Sequence, residues 1–417
     1  MRIAVIGSGI SGLTAARLLS GDHDVTVFEA EDYIGGHTHT VDVASQGESQ
    51  AVDTGFIVFN DRTYPNFISL MRRLGVRRRP SVMSFSVKCE TTGVEYCPST
   101  PGTLFAQRKN LLRPSFHRMI LDIFRFKRSA PALMAAGDDD LTLGEYLAQN
   151  GYSRSFIRHF IIPMGAAIWS AGLAGFERFP ARLFVAFFTH HGILSIRNQP
   201  QWYVIAGGSR AYIPPLTAPF QDRIQLRTPV RSITRHPDHV VLELADGDRD
   251  SFDQVVVANH SDQALALLSD PSEDERRVLG AIPYQANHVT LHTDTRLLPE
   301  NRKAWASWNY WIPRQDPGAA TVTYNMNMLQ GISAPETFLV SLNQEGAVRS
   351  DKVLRTFTYH HPVYTPQSLR ARRERDRING VNRTWYCGAY WGNGFHEDGV
   401  NSALAVCSHF GKGIEDA

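Results

Sequence analysis

The run Arg2-Ile3-Ala4-Val5-Ile6 stops at Gly7-Ser8-Gly9-Ile10-Ser11-Gly12 and gives way to Leu13-Thr14-Ala15-Ala16-Arg17-Leu18-Leu19. A short apolar β-type run, a glycine turn and a helical pattern, in that order, predict the strand, turn and helix of a Rossmann unit. Gly7 permits the tight turn, Gly9 lets the backbone approach a diphosphate, and Gly12 lets the helix lie close to the strand. Ser11 stands at the helix start, where free N–H groups and positive partial charge suit an anion. A second strand, Val25-Thr26-Val27-Phe28, ends on Glu29, about twenty residues beyond the turn, where a carboxylate accepts hydrogen bonds from an adenosine ribose.

FAD and NAD share those features, and the next segment separates them. Glu29-Ala30-Glu31-Asp32-Tyr33-Ile34-Gly35-Gly36-His37 resembles the second fingerprint of the flavin amine oxidase and phytoene desaturase superfamily, in which a glycine doublet passes the pyrophosphate. The resemblance implies FAD. It extends to Val52-Asp53-Thr54-Gly55-Phe56, which looks like the superfamily segment running under the flavin, with Gly55 among the cofactor residues. Ala206-Gly207-Gly208-Ser209-Arg210 resembles the turn where the chain re-enters the cofactor domain, and Thr228-Pro229-Val230-Arg231 the strand whose backbone, at Val230, meets the adenine. Near the end of the chain, Trp385-Tyr386-Cys387-Gly388-Ala389 and Gly394-Phe395-His396-Glu397-Asp398-Gly399 lead into Val400-Asn401-Ser402-Ala403-Leu404. In the superfamily this last helix aims its N-terminus at the flavin pyrimidine, which implies cofactor contacts at Gly388, Gly399 and Val400. Its dipole would stabilise the charge that develops on reduced flavin.

Two positions depart from the pattern. His37 stands where an arginine is common, leaving a weaker, pH-dependent phosphate partner, and Ala389 stands where an aspartate is common. Covalent flavin attachment is not expected, because residues 392–399 contain no cysteine.

The fold implied is α/β: a Rossmann-type FAD-binding domain interleaved with an α+β substrate domain, the two-domain arrangement of the amine oxidases. Residues 1–60, 200–270 and 380–417 are assigned to the first, and residues 61–199 and 271–379 to the second. Residues 104–200 have a mostly helical pattern, and Asn287–His292 and Thr321–Tyr324 alternate as strands.

At 417 residues, 43% hydrophobic and 20% charged, the chain has the composition of an ordinary folded enzyme able to enclose a large cofactor. Cys89, Cys97, Cys387 and Cys407 lack the spacing of a zinc site or disulfide framework, so no metal is expected. No apolar run reaches a membrane span and no signal-peptide pattern opens the sequence, so a cytoplasmic protein is expected. A net charge of +2 and the lack of a recognised motif argue against nucleic acid.

The charge is uneven. Arg72, Arg73, Arg77, Arg78 and Arg79 cluster, and the stretch Leu111 to Arg128 interleaves Arg113, Arg118, Arg125, Lys127 and Arg128 with Leu, Ile and Phe. A basic amphipathic helix of this kind suits an anionic membrane surface, so peripheral binding on the inner face of the membrane is expected; a solvated face over an ordinary core is the other reading, and the arginine run at residues 72–79 tips the balance toward the membrane. The apolar runs Phe160–Trp169 and Leu183–Phe188 suit either an acyl tunnel or plain core.

Val289-Thr290-Leu291-His292 resembles the sheet strand that carries a lysine in true amine oxidases, and it has none. Trp305-Ala306-Ser307-Trp308-Asn309-Tyr310 and the closing His396-Glu397-Asp398 resemble instead a bacterial NAD/FAD-binding branch associated with cyclopropane fatty acid synthase-like enzymes. At least one type in that branch resembles a desaturase of methyl-branched acyl chains on the route to furan fatty acids. The resemblance implies a phospholipid or fatty acyl substrate, hydride transfer to flavin and a separate electron acceptor. The accompanying proton needs a base; His396 and Glu397 are the candidates, with Tyr390 and Trp391 as walls and His190 and His191 behind them. An amine or isoprenoid oxidase, and a lipid-binding flavoprotein without turnover, are the competing readings.

Overall fold

The computed structural model describes residues 1–136, 140–170, 172–195, 198–315 and 318–417. Five parallel strands form the first sheet, in the order Ile224–Gln225, Asp24–Phe28, Arg2–Ile6, Gln254–Val257 and Thr384–Tyr386. The first strand lies near the centre, with Ile3, Ala4 and Val5 wholly buried. Its residues alternate between two covers, as a strand's must. Ile3 and Val5 pack with Leu13 of the helix Ile10–Leu19 and with Val400 and Ala403 of the closing helix His396–Ser408. Ala4 and Ile6 pack with Ile233, Val240, Leu242 and Phe252 of a three-stranded antiparallel sheet. Burial on both faces explains why this strand reads as a continuous apolar run.

A seven-stranded sheet forms the second lobe. Its order is Val353–Pro362, Tyr284–His292, Leu339–Leu342, Val322–Asn325, Trp308–Ile312, Phe85–Cys89 and Val94–Tyr96. Two distant chain segments therefore meet in one sheet, joined by the parallel pair Trp308–Ile312 and Phe85–Cys89. The expected strand Asn287–His292 falls within Tyr284–His292, and the expected strand Thr321–Tyr324 overlaps Val322–Asn325, which starts one residue later and runs one residue further.

Helices from Pro114 to His190 pack beside this sheet around an aromatic core. The two apolar runs belong to that core: Trp169 lies 4.6 Å from Phe179, and Phe184 lies 4.1 Å from Phe188, between ring centroids. Gly165 is pressed so closely that a Cβ there would come within 2.3 Å of the Phe176 ring.

One boundary differs from expectation. The closing helix begins at His396, ahead of Val400, because the Asp398 carboxylate accepts a hydrogen bond from Phe395 N at 2.9 Å and so satisfies a free donor of the first turn. His396, Glu397 and Asp398 are thus the first turn of a helix and not a preceding loop.

Candidate functional site: a cofactor cradle and an adjoining cavity

Three neighbouring parallel strands run out at Gly7, at Ala258-Asn259-His260 and at Cys387-Gly388, along the carboxyl edge of the sheet. Ligands of open α/β sheets bind at this edge. Gly7 has φ +103° and an added Cβ would meet Ala258 backbone at 3.2 Å, so glycine is required there. At Gly12 a Cβ would fall 2.0 Å from Gly7 O, which is how the helix comes to lie on the strand.

Gly9 behaves differently. A Cβ there meets nothing within 4 Å. The turn at Gly35-Gly36 closes over it, with a Gly9–Gly35 backbone bridge and Gly36 at φ +58°. Glu29 ties the two turns together: its Oε2 accepts from Ser8 N at 2.8 Å and its Oε1 from Glu31 N at 2.9 Å, while Ser8 Oγ accepts from Gly35 N at 3.1 Å. The helix Ile10–Leu19 starts without a side-chain cap or an acidic residue in its first turn, so its N–H dipole faces this space uncompensated.

The remaining predicted cofactor residues converge nearby. Gly55 is tight against His37, whose carbonyl accepts from Phe56 N at 2.7 Å. Gly399 rests on Ser11, its added Cβ lying 2.9 Å from Ser11 Oγ, which brings the start of the closing helix onto the start of the first. Val400 is wholly buried behind it. Gly388 N donates to Ser402 Oγ at 2.8 Å. Val230 opens a strand that begins beside Glu29, where Thr228 N donates to Glu29 O at 2.9 Å.

At this edge the buried His37 Nε2 and Asn259 Oδ1 have no hydrogen-bond partner among the described residues. Such atoms are costly unless something fills the space beside them. His37 belongs to a histidine group whose other members, His260 and His361, lie far from it in the sequence. Its ring lies 6.2 Å from His260 and 5.4 Å from His361, and His260 stacks on Tyr284 at 4.4 Å. Burial, with the neighbouring imidazoles, pushes His37 and His260 each down to about 4 and His361 to about 3. An open glycine turn, an uncapped helix start, a ribose-type carboxylate and unpartnered imidazole and amide atoms fit the diphosphate of a dinucleotide.

A cavity of about 500 Å³ adjoins the start of the closing helix. Arg62, Thr63, Tyr64, Pro65, Thr189, His190 and His191 form one side, and Asn393, Phe395, Glu397, Asp398 and Asn401 the other. Of the three candidate catalytic residues only Glu397 lines it. Glu397 also holds a structural post, accepting from Asn66 N at 3.0 Å and Phe67 N at 2.8 Å at the start of the helix Pro65–Arg73. Burial raises its carboxyl, and raises Asp398 to about 6 against backbone donors and Arg372 that pull the other way.

His396 points elsewhere. Its ring stacks on Phe56 at 3.5 Å, its Nε2 is within 3.0 Å of Thr38 Oγ1 and 3.2 Å of Tyr212 Oη, and burial holds it far below the usual imidazole range. Tyr390 is 3% exposed and its hydroxyl has no partner; it packs on Trp391 and against Gly388. Neither residue reaches the cavity. His191 does, with its pKa lowered to about 4 by burial, and Thr63 Oγ1 lies 3.0 Å from its Nε2. Among the described residues no group of three His, Cys, Asp or Glu is placed to hold a metal ion, and all four cysteines are buried free thiols.

Residues 10–331 match the family model described as flavin containing amine oxidoreductase. The chain belongs to that family. Its cofactor is FAD, and it is an oxidoreductase. A tryptophan 2-monooxygenase of Allorhizobium ampelinum is 56% identical over 41 residues, 9% of this chain and 6% of that protein. A zeta-carotene desaturase of Synechocystis sp. is 34% identical over 80 residues, 19% of this chain and 15% of that one. The chain thus matches only a small part of either relative's length. Among solved structures, a CLA-producing fatty acid isomerase from P. acnes superposes with a TM-score of 0.66 at 18% identity, over 98% of each chain, a likeness of fold.

Proposed function

We propose that this flavoenzyme dehydrogenates an acyl chain of membrane phospholipid, a methyl-branched chain in the first instance, as the resemblance to the desaturase branch implies. The observation that carries the reading is the cavity beside the closing helix. Arg62 gives one side a cation suited to an anionic head group, Phe395 supplies apolar wall, and Glu397 and Asp398 set two carboxylates of raised pKa against the same space. Bound FAD would supply a hydride acceptor. Glu397 is the group we assign to take the accompanying proton, with Asp398 beside it; a carboxylate whose pKa is lifted toward neutrality is a better proton acceptor than an ordinary one. His396 and Tyr390 are assigned to the cofactor's surroundings, since both lie off the cavity.

One further observation supports an acyl over an amine substrate: the strand Tyr284–His292 carries no lysine. Among the described residues no helix is long and apolar enough to cross a membrane.

The test is anaerobic flavin reduction by detergent-dispersed methyl-branched phospholipid. Glu397→Gln should keep its FAD and reduce at least about 10²-fold more slowly, the scale of a lost general base. Wild-type rates in Glu397→Gln and Asp398→Asn would remove both carboxylates from the mechanism. Reduction by simple amines, with none by lipid, would move the protein to the amine oxidase reading.

A further inference from the structure

Large apolar side chains are seldom left in solvent, and where several stand together they mark a surface with a partner. Among the described residues, four of the nine exposed large hydrophobics fall within one short stretch: Leu111 at 44% exposure, Leu112 at 88%, Leu121 at 64% and Phe124 at 53%. Leu111 and Leu112 end the 3₁₀ turn Arg108–Leu112, and Leu121 and Phe124 lie on the helix Pro114–Ser129. The helix buries Phe116, Met119, Asp122 and Phe126. Its other face carries His117, Leu121, Phe124 and Arg128, spaced as neighbours along one side of a helix. The His117 ring lies 2.8 Å from Leu111 O through Nε2, which holds the leucine turn against the start of that stripe.

The charge around these residues has one sign. Arg108, Lys109, Arg118, Arg125 and Arg128 are exposed. The single acid of the helix, Asp122, is 2% exposed in its side chain and is consumed by Arg118 at 3.3 Å, Arg125 at 3.2 Å and Ser153 N at 3.0 Å. An ordinary solvated helix face offers neither large apolar groups nor cations alone. This face offers both, in the arrangement that lets Leu and Phe enter the acyl boundary while Arg and Lys meet phosphates.

We infer that Leu111, Leu112, Leu121 and Phe124, ringed by Arg108, Lys109, Arg118, Arg125 and Arg128, form a docking surface for an anionic phospholipid bilayer. The inference deepens the lipid-substrate reading by naming the surface through which it operates, but its evidence is independent of the cavity. A second copy of the chain is the other occupant such a face would accept, and the charge decides between them: two like copies would bring five cations against five, whereas a leaflet of anionic lipid neutralises them.

The experiment uses FAD-loaded protein and sedimentation with vesicles of phosphatidylcholine alone or with about one third phosphatidylglycerol. Binding to the anionic vesicles, weak on the neutral ones and falling as salt shortens the screening length below about 8 Å, is expected. Leu112→Ser with Phe124→Ser, and separately Lys109→Gln with Arg128→Gln, should each weaken anionic-vesicle binding about tenfold or more while FAD content is unchanged. Equal binding by wild type and both double variants overturns the inference, as does equal binding to neutral and anionic vesicles. A concentration-dependent dimer that Leu112→Ser with Phe124→Ser dissolves, without vesicle binding, also overturns it and assigns the face to a second copy. Reduction of flavin by detergent-dispersed lipid is read separately, so loss of docking and loss of the acyl reading are told apart.

Discussion

The replacement of a usual arginine by His37 makes cofactor affinity depend on pH, and the size of the effect follows from its surroundings. Without ligand, burial and the nearby His260 and His360 hold His37 at about 4, so it is neutral throughout the physiological range. A diphosphate placed at its unpartnered Nε2 favours the protonated form and raises the group, with the ordinary imidazole value of about 6.5 taken for the bound state. The bound state then carries a proton that the free state lacks between about pH 6.5 and pH 4. Binding takes up a proton, and affinity rises as pH falls through that window. Between pH 7.5 and 5.5 one such histidine strengthens FAD binding about tenfold, with His260 and His361 adding to the slope if they also charge. Titration calorimetry of apo-protein with FAD, in two buffers of different ionisation enthalpy, measures both the affinity and the proton count. His37→Gln should flatten the dependence by one proton, and His37→Arg should tighten binding most at high pH. An affinity independent of pH, or the same slope in wild type and His37→Gln, would remove His37 from the pH dependence.

Gly9→Val should abolish FAD retention without unfolding the chain, because the new side chain enters space that no protein atom occupies; the 450 nm region of the spectrum, with a thermal melt as control, checks it. Acid denaturation should release intact, unattached FAD into the supernatant, since Cys387 and Cys407 are buried and residues 392–399 hold no cysteine. Glu275→Ala should cost about 3 kcal/mol in denaturant unfolding: it strips the carboxylate bonded to Arg235, whose side chain is 1% exposed, and to Tyr386 Oη at 2.6 Å, with Asp270 left to Arg235 as partial compensation. Glu397→Gln should lower stability by about 1 kcal/mol through its weakened cap on the helix Pro65–Arg73, an effect separable from any change in flavin reduction.

The cradle was legible in the sequence where its chemistry is local. The strand, the glycine turn, Glu29 and the Gly35-Gly36 doublet lie within one short stretch; Gly7, Gly12, Gly35 and Gly36 answer a positive φ or a close backbone approach, and Gly9 leaves open space. His260, His361 and Asn259 were not legible, because they meet His37 only when strands from distant parts of the chain line up. The closing motif was half legible. Its glycine and the helix beyond it were evident, but the cap formed by Asp398 moved the helix start to His396, and a helix turn points successive side chains in different directions. That geometry sends His396 toward Phe56 and Tyr212 and leaves Glu397 and Asp398 facing the cavity. The duty of Glu397 at the start of the helix Pro65–Arg73 was equally hidden, since its partners lie near the other end of the sequence. The basic helix read ambiguously until burial showed which of its apolar residues face solvent.

Removal of two hydrogens from a phospholipid acyl chain is read out most directly by mass spectrometry of lipids before and after a single anaerobic turnover of the FAD-loaded protein. A lipid lighter by two hydrogens, formed in proportion to the flavin bleached, is expected. Bleached flavin with every lipid mass unchanged, or no bleaching by any phospholipid, would contradict it.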